Sequence, residues 1–565
     1  MDRIIKCVEA AIKNKKADLV LKNAWIVNVF TQTIHKDDIA IMGDQIVGIG
    51  EYQGEIEIDC AGCFVTPGFI DAHVHIESSK VIPEIFSKIV IKKGVTCCIA
   101  DPHEIANVLG AEGIEFMIEN SKNSVIDMFF MMPSCVPAVE FDDSGAVLGS
   151  DELEKFMHSP RVLGLGEVMD VQSVICMKEG MIKKIALFQD AIIDGHCPEI
   201  NTDNLNAYIS SGVNTDHECL APEQALEEIK RGMYVMLREG SAARNLIALL
   251  PAVNEGNFHR FLLCTDDKDI SDLEREGSID HNIKVAIKNG IDPVKAITMA
   301  TLNAAQCYGL KRKGAIAPGY SADLVILSNL EEVNVKSVIR KGKLYEDCEY
   351  KYDSINIRYS MNINYIRKDM FNIKAQLGKL NVIKVIKDSI NTEKVEREPI
   401  IAGNIVEGIK SEDAMKIAVF ERHKKTGRYT LGFIEGLGLK NCCVAQTISH
   451  DSHNIIVVGD NDKDMEIAVN RIIEIGGGIV IASSGIILEE LRLPVAGLMT
   501  YENPAFVIER IKKMNKIIKK YEKSESMDIF LTLGFMALPV IPEIKITTRG
   551  LYDFKLEKFI DLFLC

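Results

Sequence analysis

No stretch of this 565-residue sequence is apolar for long enough to span a bilayer, and the opening MDRIIKCVEAAIKNKK reads as a short amphipathic helix rather than a signal sequence. There is no block of Lys or Arg able to track a phosphate backbone. The net charge is −16, from 65 basic against 81 acidic residues, which argues against nucleic acid and anionic membrane as partners. The 15 cysteines follow no repeating framework, and the adjacent pairs Cys97-Cys98 and Cys442-Cys443 are unsuited to ordinary disulfides, so the expectation is a soluble protein of the reducing cytoplasm. A clean internal repeat and a low-complexity tract are also missing. What remains is ordinary globular composition, 47% hydrophobic and 26% charged, in a chain too long for one core.

The chain is organised around residues 65–79, VTPGFIDAHVHIESS. Its apolar start reads as a buried strand, and at the end Asp71, His73 and His75 alternate with small or apolar residues. Strand side chains repeat every two residues, so His73 and His75 share a face and can grip one divalent ion. Upstream, residues 18–66 alternate short β-rich runs with turns, and 324–345 look the same. The sequence therefore predicts a small β-domain, sandwich-like, that opens at 1–66, is interrupted by an insert at 67–310, and is completed by 311–349. Residues 350–565 mix helices and strands and are assigned to a separate α+β domain.

Within the insert, eight strand-like runs alternate with helical stretches: FIDAHVH, GVTCCIADPHE, DMFFMMPS, RVLGLGEVMD, AIIDGH, GVNTDHE, MYVMLREGS and RFLLCTDD. That alternation predicts a TIM-like (β/α)8 barrel, whose active site lies at the C-terminal ends of the strands. Nearly every run ends in His, Glu or Asp. The strand-end candidates are His73 and His75, Asp101 and His103, Glu167, His196, His217 with Glu218, Arg238 with Glu239, and Asp266 with Asp267. Histidines and carboxylates converging on one rim suit one or two divalent ions, and a carboxylate such as Glu167 can bridge two of them.

Three other patterns carry less. His75-Ile76-Glu77 matches the H-x-E of cytidine-type zinc deaminases, but the later P-C-x-x-C is absent. The CxxC at Cys60 to Cys63 has no second pair to complete a zinc knuckle. His450 and His453, in HDSH, have metal-ligand side chains; a loop packed on the barrel mouth is the favoured reading.

HxH after the first strand, His after the fifth and sixth, and Asp after the eighth resemble the ligand order of the amidohydrolase superfamily. More narrowly, PGFIDAHVHIESS, ADPHEIANVLG, GLGEVMD, DGHCP and TDHE resemble the bacterial and archaeal adenine deaminase family. So do ISHDSHNIIVVGDNDKDMEIAVN, LPVAGLM and LGFMALPVIPEIKIT beyond the barrel. The resemblance implies hydrolysis of adenine to hypoxanthine and ammonia in purine salvage, at a metal centre of manganese or iron, zinc being the alternative. It implies a metal shell of His73, His75, Glu167, His196, His217 and Asp266. Asp266 then moves the proton of the attacking water, Glu218 beside His217 handles a ring nitrogen, and Glu77, Asp101, His103, Arg238 and Asp267 stand behind them or against the substrate. A homo-oligomer is expected, with adenine as the small-molecule partner. The competing readings are a cyclic-amide hydrolase of the same superfamily, whose bridge at the fourth strand is a carboxylated lysine, and a barrel scaffold without activity.

Overall fold

The computed structural model describes residues 1–347, 355–387, 389–411, 413–522 and 527–564. After an N-terminal helix, Asp2–Ala11, the chain runs through five strands between Ala17 and Pro67. These form one eight-stranded sheet with Leu324–Asn329, Asn334–Arg340 and Lys343–Leu344. The join is the antiparallel pairing of Phe64–Pro67 with Leu324–Asn329, in which Leu324 faces Pro67 and Leu327 faces Phe64. The two ends of the barrel segment are thereby brought together.

Between them lie eight parallel strands: Phe69–Val74, Val95–Ala100, Asp127–Met132, Val162–Val168, Ile192–Gly195, Thr215–Asp216, Tyr234–Arg238 and Phe261–Cys264. Strands one to five form one sheet and strands six to eight another. Two sets of contacts curl them into one wall. Asp266 donates its N–H to the His73 carbonyl at 2.9 Å and accepts from the His75 N–H at 3.3 Å, joining strand eight to strand one. Asn214 donates its N–H to the Ile193 carbonyl at 2.8 Å, joining strand six to strand five. The strands read as continuous apolar runs because both faces are covered. Ile70, Ala72, Cys97, Ile99, Met131, Met236, Leu262 and Cys264 share one apolar cluster, while Phe69, Val95, Cys98, Met128 and Phe130 belong to the larger cluster that includes the surrounding helices. The Val, Leu, Ile, Phe and Met side chains among them contribute about 1.5–3 kcal/mol each when fully buried.

The C-terminal region holds a second eight-stranded sheet, running from Thr392–Arg397 at one edge to Ile486–Arg492 at the other. The helix Asp462–Ile475 packs on it through Met465, Ala468, Val469 and Ile472. Its N-cap Asn461 accepts from Lys463 and Asp464, and Gly476, in the left-handed conformation, ends it. The Lys-rich helix is Pro504–Ile518, with Val507, Ile511 and Met514 inward. The region docks on the barrel: Thr500 exchanges backbone hydrogen bonds with Lys80 and Ile82, and Arg428 and Arg549 reach Asp143 at 2.6 and 2.8 Å. Every cysteine among the described residues is free. No helix among them is long and apolar enough to cross a membrane.

Candidate metal centre

The first strand loses register with the second between Asp71 and Val74. Within and just past that break His73 and His75 emerge at the rim, their Nε2 atoms 3.1 Å apart. Two imidazole nitrogens at about 2.0–2.1 Å from one cation, at roughly a right angle, stand about 3 Å apart, so this spacing is that of a chelating pair. His75 Nδ1 lies 3.0 Å from the Asp101 carbonyl, which takes its proton and leaves Nε2 bare towards the centre.

Glu167 occupies the middle of the constellation. Its Oε1 is 2.8 Å from His75 Nε2 and 3.0 Å from His73 Nε2, while its Oε2 is 2.9 Å from His196 Nδ1 and 3.6 Å from His217 Nε2. One carboxylate thus faces a pair of histidines with each oxygen. Oε1 is buried and accepts no hydrogen bond, and His217 Nδ1 is equally unpartnered. Such orphaned atoms are costly in a closed interior unless a further group engages this cluster. Donor atoms of His73, His75 and Glu167 lie within 4.8 Å of one another, as do those of Glu167, His196 and His217, and of His73, His217 and Asp266. The residues fit a pair of divalent cations sharing Glu167.

Asp266 stands in the left-handed region, φ +56°, which a short polar residue tolerates best after glycine. The turn directs Oδ1 to within 3.1 Å of His75 Nε2, and Oδ2 takes a hydrogen bond from Arg238 Nη1 at 2.7 Å. The same Nη1 donates to Glu218 Oε1, so one buried guanidinium orients both carboxylates. Burial pushes the Asp266 carboxyl up, but Arg238 and His75 outweigh it and hold it well below its usual range. Glu218, raised by burial and lowered more by His196 and Arg238, falls to about 2. Glu167 is likewise held ionised, with His75 and His73 overcoming burial. Burial and the neighbouring His73 lower His217 to about 3, leaving it neutral as a ligand must be. The side chains of His196 and Glu218 are 30% and 21% exposed against 7% or less for the other donors, so the centre opens to solvent on their side.

The remaining sequence candidates divide. Asp101 Oδ1 accepts from the His103 N–H at 3.1 Å, and the His103 ring packs edge-on against His75. Glu77 accepts from the Ile105 N–H at 3.1 Å and its carboxyl is raised to about 7, mainly by burial. Asp267 accepts from the Ser78 hydroxyl and can approach His75 and Asp266. Glu239 pairs with Arg244 at 3.4 Å.

Several residues with structural hold on the site escaped the strand-end reading. Asp216 accepts from the N–H groups of Cys197, Glu218 and Cys219, fixing the turns that carry His196 and Glu218. Asn245 accepts from the Arg238 N–H and donates to the carbonyls of His217 and Cys219. Asp71 receives both the N–H and the hydroxyl of Thr265. Glu104 contacts His450 and His453 of the C-terminal region. The acidic residue beside His103 in DPHE, at the start of a helix that is buried throughout, was the available signal for Glu104.

A parallel barrel with a rim of four histidines, a central glutamate and a terminal aspartate defines a metal-dependent hydrolase class, and residues 64–345 match the amidohydrolase family. Residues 389–558 match the adenine deaminase C-terminal domain. Relatives named adenine deaminase from Clostridium acetobutylicum and Bacillus subtilis are 45% and 43% identical, covering 98% and 99% of this chain and 99% of each relative. Adenine deaminase 2 of Carboxydothermus hydrogenoformans is 44% identical over 98% of both chains. The chain belongs to the adenine deaminase family.

Proposed function

We propose that the protein hydrolyses adenine to hypoxanthine and ammonia at a divalent metal pair held by His73, His75, Glu167, His196, His217 and Asp266, with manganese or iron as the metal. The observation that carries this reading is Glu167, each of whose oxygens faces its own pair of histidines. A carboxylate in that place, rather than a lysine, also sets the site apart from the cyclic-amide hydrolases. The barrel at 67–310, the split β-domain at 1–66 and 311–349, and the C-terminal domain at 350–565 form the division this reading uses.

The metal pair, when bound, supplies a water acidic enough to act as a nucleophile at neutral pH. Asp266, whose Oδ1 lies 3.1 Å from His75 Nε2, would take the proton of the attacking water, while Arg238 on Oδ2 keeps the group ionised and aimed. The proton passes to the amine leaving C6. Glu218, on the open side and held as a carboxylate, accepts a ring N–H of the purine. Arg238 keeps these two carboxylates in fixed relation, so proton transfer at C6 and ring recognition are aligned before substrate arrives.

The test is incubation of the metal-loaded protein with adenine, adenosine and dihydroorotate, following absorbance and ammonia together. Hypoxanthine and stoichiometric ammonia should appear from adenine alone. Equal turnover of adenosine would remove the free-base assignment, and hydrolysis of dihydroorotate in place of adenine would overturn the reading.

A further inference from the structure

Glu104 lies in the first turn of the helix after the second barrel strand and is buried against two histidines from the C-terminal domain. His450 Nδ1 is 2.6 Å from Glu104 Oε1, and His453 Nε2 meets Oε2. The three donor atoms are close enough together to surround a cation. Proton placement argues against that use. The backbone N–H of Ser449 donates to His453 Nδ1 at 3.2 Å, so the proton of the neutral ring sits on Nε2, directed at the carboxylate. A ligating ring is arranged the opposite way, as His75 is, with Nδ1 on a carbonyl and Nε2 bare. The cluster is a hydrogen-bonded clasp. Stacking of His450 on Phe535, centroids 4.5 Å apart, fixes it from the other side.

The clasp reaches the metal centre through His103. Glu104 Oε1 is 3.4 Å from His103 Nε2, and His103 Nδ1 is 3.9 Å from Glu167 Oε1. That Nδ1 has no hydrogen-bond partner, and the ring lies 4.5 Å from His75, centroid to centroid. Glu104 is thus the charged group that holds the far side of the His103 ring. The neighbouring domain contact is built differently: Asp143 binds Arg428, Thr548 and Arg549 without touching the metal centre.

We propose that the C-terminal domain is part of the catalytic apparatus: His450 and His453 hold Glu104, and Glu104 positions His103 against the Glu167 side of the centre. The inference rests on the deaminase reading. His453, His450 and Glu104 are positioning residues, acting through His103.

The experiment compares kcat, KM and bound metal for full-length, metal-loaded His453→Leu, His453→Gln and Arg428→Ala. Gln can present an amide N–H where Nε2 stood; Leu cannot. His453→Leu should lower kcat by about 10- to 100-fold with metal content retained, as loss of a positioning partner does. KM should stay within about threefold, since no substrate contact is removed. His453→Gln should recover most of the loss, and Arg428→Ala should remain within about twofold of the parent. If His453→Leu does not fold, the isosteric Glu104→Gln takes its place, with the same loss expected. The proposal is overturned if the Leu variant keeps its kcat, if Gln rescues no better than Leu, or if Arg428→Ala loses as much, which would reduce the clasp to domain docking. Absence of adenine turnover in the parent would overturn the deaminase reading instead. The clasp is then decided by a crystal structure of His453→Leu, where a His103 ring unmoved from its place beside Glu104 contradicts the proposal.

Discussion

At the residue scale the account turns on two carboxylates. Glu167→Gln keeps the shape but replaces one oxygen by an N–H-bearing nitrogen, which cannot face a cation. Metal content measured by plasma mass spectrometry and kcat should fall together, and added bicarbonate should not restore either; an active, metal-replete Glu167→Gln would refute the bridge. Asp266→Asn separates ligation from proton transfer, because an amide oxygen still coordinates but has no useful basicity. General acid–base catalysis contributes about 10²–10⁴-fold, so kcat should fall by that range while KM changes little. Asp267→Asn, altering a carboxylate tied to Ser78, should be the milder variant. The reverse order, with Asp267→Asn crippled and Asp266→Asn near normal, would move the chemistry to Asp267 and contradict the assignment to Asp266.

At the element scale, the strand ends were legible because chemistry and fold use the same residues there. Each of the eight runs contains a strand, and the six residues expected as ligands stand together. The alternation set His73 beside His75, and their Nε2 atoms do stand 3.1 Å apart, but it gave no sign of the register shift between Asp71 and Val74. GLG in the fourth strand shows what pattern alone could not explain. A Cβ on Gly164 would fall on the backbone carbonyl of Ile192 in the fifth strand, and one on Gly166 would fall on the Asp101 carboxylate. Backbone cannot yield as a side chain can. Gly164→Ala should therefore cost more stability than Gly166→Ala, the latter paying about the 1–3 kcal/mol typical of overpacking. Gly166→Ala should fold yet lose activity, because Asp101 caps the His103 N–H. Thermal melts and kcat on both variants check this ordering.

At the scale of the molecule, the return of the chain to its first sheet was readable from two matching β-rich segments. The HDSH loop was expected to pack on the barrel mouth and does, but its partner Glu104 and the Asp143 contact were not readable, because partners more than 280 residues apart leave no local periodicity. Electrostatics of the whole centre makes a further prediction. Burial lowers the pKa of His73, His75 and His196, but the surrounding carboxylates, Glu167 and Glu218 foremost, outweigh it, taking His196 to about 9. Without metal His196 holds its proton up to about that pH, His73 and His75 hold theirs above the usual imidazole range, and proton and cation compete for the same nitrogens. Metal affinity should thus rise with pH up to about 9, with roughly one or more protons released per ion bound. Calorimetry in buffers of different ionisation enthalpy measures that release; an affinity flat from pH 6 to 9 with no proton release would contradict it.

Adenine deamination at two cations sharing Glu167 is a proposal with a stoichiometric consequence. It is tested most directly by stripping the protein of metal, adding Mn²⁺ in steps, and measuring ammonia released from adenine at each step. The account predicts no activity without metal, a rise with each addition, and a plateau at two equivalents per chain. A plateau at one equivalent would contradict the shared bridge, and ammonia release from the metal-free protein would contradict the account altogether.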